Sequence, residues 1–169
     1  MSEIINKVKQ SKLETIDLEA FAAKLSIREL DLEPFLFQGL ILKEKEYREA
    51  LDAHNWEQYG GQILAVHCST DAIIPKWAYM LVQRYAAAHA AQVYYGLPEE
   101  ARRKAMLTLL DEHDWEQYSD KFILLKGCSK VDVHPEVYMA ATEKLLPRVR
   151  KLMYGEACSN VPVYNKPRS

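Results

Sequence analysis

A chain of 169 residues with 49% hydrophobic and 27% charged side chains has the composition of one globular domain with a buried core, not of a disordered segment. A formal net charge of -2 offers no basic excess to nucleic acid or to an anionic membrane surface, so neither partner is expected. No run of 18 apolar residues occurs, MSEIINKVKQ lacks the apolar core of a signal peptide, and an odd count of three cysteines argues against a disulfide framework, all of which predicts free thiols in the cytoplasm.

In chain order, residues 1–50 form an N-terminal segment. Ser11 to Leu32 is read as an edge strand and a small helix, and Glu33 to His54 as a short helical turn followed by a longer helix from Lys43. Residues 51–96 and 110–155 then read alike. LDAHNWEQY (Leu51–Tyr59) returns as LDEHDWEQY (Leu110–Tyr118), ILAVHCS as FILLKGCS, Pro75 as Pro135, Tyr79-Met80 as Tyr138-Met139, and Tyr95-Gly96 as Tyr154-Gly155, always 59 or 60 residues apart. In each segment a continuous apolar run (ILAV, FILL) predicts a strand covered on both faces. Pro75 and Pro135 suit the first position of a helix. The expected apolar stripes are Trp77, Leu81, Tyr85 and Ala88 in the first helix, and Tyr138, Thr142, Leu145 and Val149 in the second. Pro147 ends the second helix early. A second strand, stopped by Gly96 or Gly155, closes each segment, and Pro98 to His113 is a helix between them. The fold class expected is α/β in a single domain over residues 1–169: a mainly parallel sheet with helices on both faces, built by internal duplication of a βαβ unit, with a mobile tail at 165–169.

His54 and His113 precede their strands and belong to structural turns, with Asn55 and Asp114 as caps and Trp56 and Trp115 packed inward. A strand of six residues separates them from the cysteines by roughly 20 Å. His67 points away from its neighbour Cys68.

Each cysteine is followed by serine: Cys68-Ser69, Cys128-Ser129 and Cys158-Ser159. Cys68 and Cys128 close the first strands of the two segments, at the carboxyl edge where ligands of open parallel sheets bind. If those strands are neighbours, Cys68 and Cys128 face each other across about 4.8 Å, and Cys158, a few residues past the last strand, lies at the same edge. Three converging thiolates suit zinc, copper or an iron-sulfur cluster. Ser69, Ser129 and Ser159 would donate hydrogen bonds to the sulfurs or to a bound cofactor. Asp71 is an oxygen ligand or a turn cap, and Glu156, Asp132 and Lys130 are further neighbours of the thiols. No G-x-G-x-x-G or P-loop is present.

FLFQGLILKEKEYRE, HCSTDAIIPKWAYM, GCSK and MYGEACSNVPVY together resemble an uncharacterised bacterial family, domain of unknown function 2480, typical of Bacteroidetes, over nearly the whole chain. The resemblance carries no activity. It implies a genomic setting beside iron-sulfur assembly genes, and so tilts the metal expectation towards an iron-sulfur cluster and towards iron-sulfur assembly proteins as partners. The expected function is therefore a metal or iron-sulfur binding protein, with Cys68, Cys128 and Cys158 as ligands to a cluster or to a zinc or iron ion. The alternatives are a thiol-dependent enzyme, such as a persulfide-carrying sulfurtransferase, and an interaction domain with structural cysteines. A homodimer is compatible with each.

Overall fold

The computed structural model describes residues 13–126 and 131–167. The chain divides into two compact units: a continuous unit of residues 24–105, and a split unit of residues 1–23 and 106–169 that the continuous one interrupts in sequence.

In the continuous unit, β2 (Ile27–Asp31), β3 (Ile63–His67) and β4 (Gln92–Tyr95) form a parallel sheet in that order, with Ile63 of β3 registered against Ile27 on one side and Gln92 on the other. Helix α2 (Glu44–Ala53) and a 3-10 turn at Trp56–Tyr59 precede β3, and α3 (Lys76–Ala86) connects β3 to β4. The run Ile63-Leu64-Ala65-Val66 is wholly buried because its two faces have different partners. Leu64 and Val66 enter the main core with Tyr47, Leu51, Val82 and Trp56, whereas Ile63 and Ala65 pack with Ala101 and Ala105. Those two alanines open α4 (Pro98–Glu112), whose later residues belong to the split unit. Alternation along one strand thus feeds two layers.

In the split unit the order is β1 (Leu13–Asp17), β5 (Phe122–Lys126), β6 (Lys151–Glu156) and β7 (Ser159–Asn165). The first three are parallel and β7 is antiparallel to β6. Helix α1 (Leu18–Ala22) follows β1, and α5 (Pro135–Leu145) connects β5 to β6. Pro147 stands just beyond the end of α5, a position where it cannot continue the helix.

The α/β class and the mainly parallel pairing are as expected, but the strands divide between two sheets. β3 has β2 and β4 on its two edges, and β5 has β1 and β6. A strand has only two edges, so β3 and β5 cannot be neighbours. The N-terminal segment supplies two strands, one to each sheet. The deepest positions of α3 are Ala78, Val82 and Ala86, one residue on from the expected stripe. Of the stripe expected for the second helix, Leu145 and Val149 are buried as expected, and Val137 and Ala141 take the places expected for Tyr138 and Thr142. Alanine and valine let a helix approach its sheet closely, and Trp77, Leu81 and Tyr85 fill the flank. Strand β7 ends at Asn165, the first residue of the expected tail, which pairs with Lys151.

Candidate functional site

The amino edges carry matching clamps. In the continuous unit the ring nitrogen Nε2 of His54 lies 3.0 Å from the Tyr59 hydroxyl, Trp56 Nε1 donates to the Leu51 carbonyl at 2.7 Å, and Phe35 meets His54 edge-on at 5.4 Å. In the split unit His113 and Tyr118 are 3.0 Å apart, Trp115 donates to Leu110 at 2.6 Å, and Phe21 meets His113 edge-on at 5.2 Å. Both tryptophans are buried. Asp114 caps its turn by accepting from the Glu116 N–H, whereas Asn55 makes no such bond. These residues hold helix to strand, as the turn reading expects. Burial lowers the His54 pKa, consistent with a neutral ring whose Nε2 accepts the Tyr59 hydroxyl.

At the carboxyl edge of the continuous unit, Asp31 Oδ1 accepts the N–H groups of Glu33 and Ser69, each at 3.0 Å. Burial alone would raise the Asp31 pKa. The Ser69 hydroxyl, the two N–H groups and nearby His67 outweigh burial and hold it below the usual carboxylate range. The Thr70 hydroxyl donates to the Gly39 carbonyl at 2.9 Å, and Cys68 Sγ lies 3.4 Å from Thr70 Oγ1. Ser69 and Thr70 therefore fasten the loop after β3 to the loop after β2. Gly39 has φ 69°, a conformation that favours glycine, and an added Cβ would push aside the Glu33 carboxylate, whose Oε1 lies 2.7 Å from that position. Asp71 is exposed in that loop. His67 is mostly buried, with Nε2 3.6 Å from Glu29 Oε2.

In the split unit Asp17 accepts the Glu19 N–H at 2.9 Å, and Glu19 accepts the Val131 N–H at 2.9 Å. Cys128 and Ser129, like Lys130, lie outside the described residues. Cys158 is exposed in the two-residue turn joining β6 to β7, with Ser159 opening β7.

The expectation of a metal or iron-sulfur centre is overturned. Its geometric premise was adjacency of β3 and β5, and these strands stand in different sheets. Among the described residues, no group of three or more His, Cys, Asp or Glu side chains is placed to hold a metal ion. Cys68 touches a threonine hydroxyl and Cys158 sits in a solvent-facing turn, and neither belongs to such a group.

What the geometry does build is an apolar groove in the split unit. It has a volume of about 460 Å³ and is lined by α5 (Tyr138, Met139, Thr142), β5 and β6 (Leu125, Met153, Tyr154) and Val163 of β7. Met139 is 73% exposed at its rim, much like its counterpart Met80 at 70%. Tyr138 and Tyr154 meet edge-on with centroids 5.6 Å apart. Burial first, then Tyr154 and the carboxylates of Glu19 and Asp17, push the Tyr138 hydroxyl up to about 12, so it stays protonated and able to donate. In the continuous unit Tyr79 and Tyr95 stand in the same relation at 5.3 Å, and burial, Tyr95 and Cys68 raise the Tyr79 pKa. There β4 is the last strand of its sheet, and among the described residues no strand takes the place of β7.

The sequence reading missed these tyrosines as site residues, although Tyr79-Met80, Tyr95, Tyr138-Met139 and Tyr154 were in plain sight as recurring positions. It missed Asp17, Glu19, Asp31 and Glu33 altogether. Their signal was a second short repeat, DLEAF at Asp17–Phe21 and DLEPF at Asp31–Phe35, hidden by a spacing of 14 residues where every other match has 59 or 60.

Fold and site define a protein of two small parallel α/β units, each with an aspartate and a tyrosine pair at its carboxyl edge. The chain belongs to the family described as protein of unknown function (DUF2480), whose model matches residues 2–166. No curated protein and no solved structure matches it. No helix among the described residues is long and apolar enough to cross a membrane.

Proposed function

We propose that the protein is a binding domain whose groove between α5 and the β5-β6-β7 sheet takes a small, largely apolar molecule with a neutral or cationic polar end. The observation that carries this reading is the groove itself. Its volume falls in the range of small-molecule sites, its walls are apolar, and the hydroxyls of Tyr138, Thr142 and Tyr154 are the few polar side-chain groups among them, the usual composition of such a site. The Tyr138 hydroxyl offers a hydrogen bond there. The Asp17 and Glu19 carboxylates act on the same hydroxyl and disfavour an anionic end. A cytoplasmic location accords with the free cysteines.

Titration with two fluorescent probes of similar shape tests this: neutral N-phenylnaphthylamine and anionic anilinonaphthalene sulfonate. The neutral probe is expected to bind saturably and more tightly. Met139→Asp, a change at an exposed position that leaves the core intact, is expected to weaken it by about tenfold or more, since a charge then has to be desolvated against the ligand. Equal binding of the neutral probe by the parent and Met139→Asp would remove the groove as the site.

A further inference from the structure

A second concavity, of about 680 Å³, lies at the opposite, amino edge of the split unit's sheet. Asp120 and Phe122 enter it from the start of β5, Arg150 and Lys151 from the start of β6, and Asn165 and Lys166 from the end of β7. Three cations therefore face one carboxylate, on a chain whose formal net charge is -2. Asp120 Oδ1 lies 3.3 Å from Arg150 Nε, which orients the guanidinium while leaving its other N–H donors available. Among the described residues neither Lys151 nor Lys166 has an ion-pair partner. The Lys166 N–H donates to the Arg150 carbonyl at 2.9 Å, tying the chain after β7 to the start of β6.

The continuous unit shows which of these residues the fold does not need. Asp120 has φ 60°, and its N–H donates to the Arg148 carbonyl at 3.0 Å. Gly61, 59 residues earlier, has φ 68° and donates to the His89 carbonyl at 3.1 Å. The backbone does the same work at both places, and glycine is the residue that adopts this conformation without a side-chain penalty. Aspartate is among the residues that tolerate it, and here its carboxylate holds Arg150. Likewise Phe122, Arg150 and Lys151 stand where the continuous unit has Ile63, Ala91 and Gln92, and Asn165 and Lys166 come from a strand with no counterpart there. The cationic set is surplus to the fold. Phe122 begins an otherwise buried strand yet is 37% exposed, and it presents an aromatic ring beside the cations.

We infer that this amino-edge concavity binds a small phosphorylated ligand with a planar ring, of the nucleotide class. Arg150, Lys151 and Lys166 take the phosphate oxygens, with Arg150 suited to a two-pronged contact. Phe122 stacks on the ring. The site is independent of the apolar groove, with which it shares no residue.

Calorimetric titration of the full chain at low ionic strength with ADP, pyrophosphate and adenosine tests the inference. ADP is expected to bind, pyrophosphate more weakly and adenosine weakest. The double variant R150Q/K151Q should lose at least tenfold in ADP affinity, and Lys166→Gln should lose less. Phe122→Leu should weaken ADP while sparing pyrophosphate, and Met139→Asp should leave ADP binding unchanged. No ADP binding by the parent, or equal binding by parent, R150Q/K151Q and Lys166→Gln, overturns the site. Adenosine binding as tightly as ADP overturns the role of the cations, and pyrophosphate binding as tightly as ADP overturns recognition of the ring.

Discussion

The continuous and split units answer the same local problems with nearly the same residues and then diverge at their rims. Each has a His-Trp-Tyr clamp before its central strand, with His–Tyr ring centroids 5.7 Å apart in both. Each has an aspartate at the end of its first strand that accepts the N–H of a glutamate two residues on. Each has a tyrosine pair edge-on at the carboxyl edge. The difference is β7. In the split unit it covers the edge of β6, adds Val163 to the apolar groove and carries Asn165 and Lys166 to the cationic concavity. In the continuous unit β4 ends the sheet. The units share the clamps and the tyrosine pairs, and β7, which only the split unit has, contributes to both places where binding is proposed.

The largest effect should come from the clamps. Trp56→Ala and Trp115→Ala each remove a buried indole and its hydrogen bond to a carbonyl, that of Leu51, which keeps the His54 N–H, or that of Leu110. Each should cost about 3–5 kcal/mol, read from urea unfolding and assigned to its own unit by amide hydrogen exchange. A cost near zero for one of them would mean that only the other unit depends on its clamp.

A smaller effect is expected at Gly155. Its φ of 121° is open to glycine, and an added Cβ would meet the Ser159 carbonyl oxygen at 2.7 Å. Gly155→Ala should cost roughly 1–3 kcal/mol and loosen the β6–β7 pairing, with weaker probe binding in the groove as the second readout. Unchanged exchange protection in β7 would show that the hairpin tolerates the change and that β7 is held mainly elsewhere.

The smallest effect is a pH dependence from His54. Its pKa in the folded protein is depressed from the ordinary 6.5 by burial. Below 6.5 the unfolded chain therefore binds more protons than the folded one, and stability is lost as pH falls from there through the folded value. His54→Gln should flatten the part of the stability curve that falls away below about pH 6.5. An unchanged slope would place the acid sensitivity on other groups.

Much of the skeleton was legible in the residues. ILAV and FILL announce central strands because a run without polar alternation has to be covered on both faces. LDxHxWEQY announces a turn because its partners lie within a few residues of one another. The strands β1 and β2 were only half visible: LETID and IRELD alternate weakly, and their partners begin 109 and 36 residues further on, at Phe122 and Ile63. The strand β7 was hidden by Pro162 and by its exposure, since an edge strand with little buried surface leaves little pattern. The Cys-Ser pairs were conspicuous by recurrence, yet recurrence of a dipeptide says nothing of whether the strands that carry it are adjacent. The DLEAF and DLEPF stretches fasten the loops at the carboxyl edges and were less conspicuous.

By itself, the sequence determined the helices, the turns and the two central strands, because these depend on periodicity, capping and contacts between residues close along the chain. Tertiary structure decided which strands pair. That choice placed Cys68 in one sheet and left Cys158 in the turn of another, turned β7 into the wall of a groove, and gathered Asp120, Arg150 and Lys166 from three segments into one concavity. The reason is that every strand edge offers the same backbone groups. Pairing is selected by burial over distant residues, and no local pattern records the outcome.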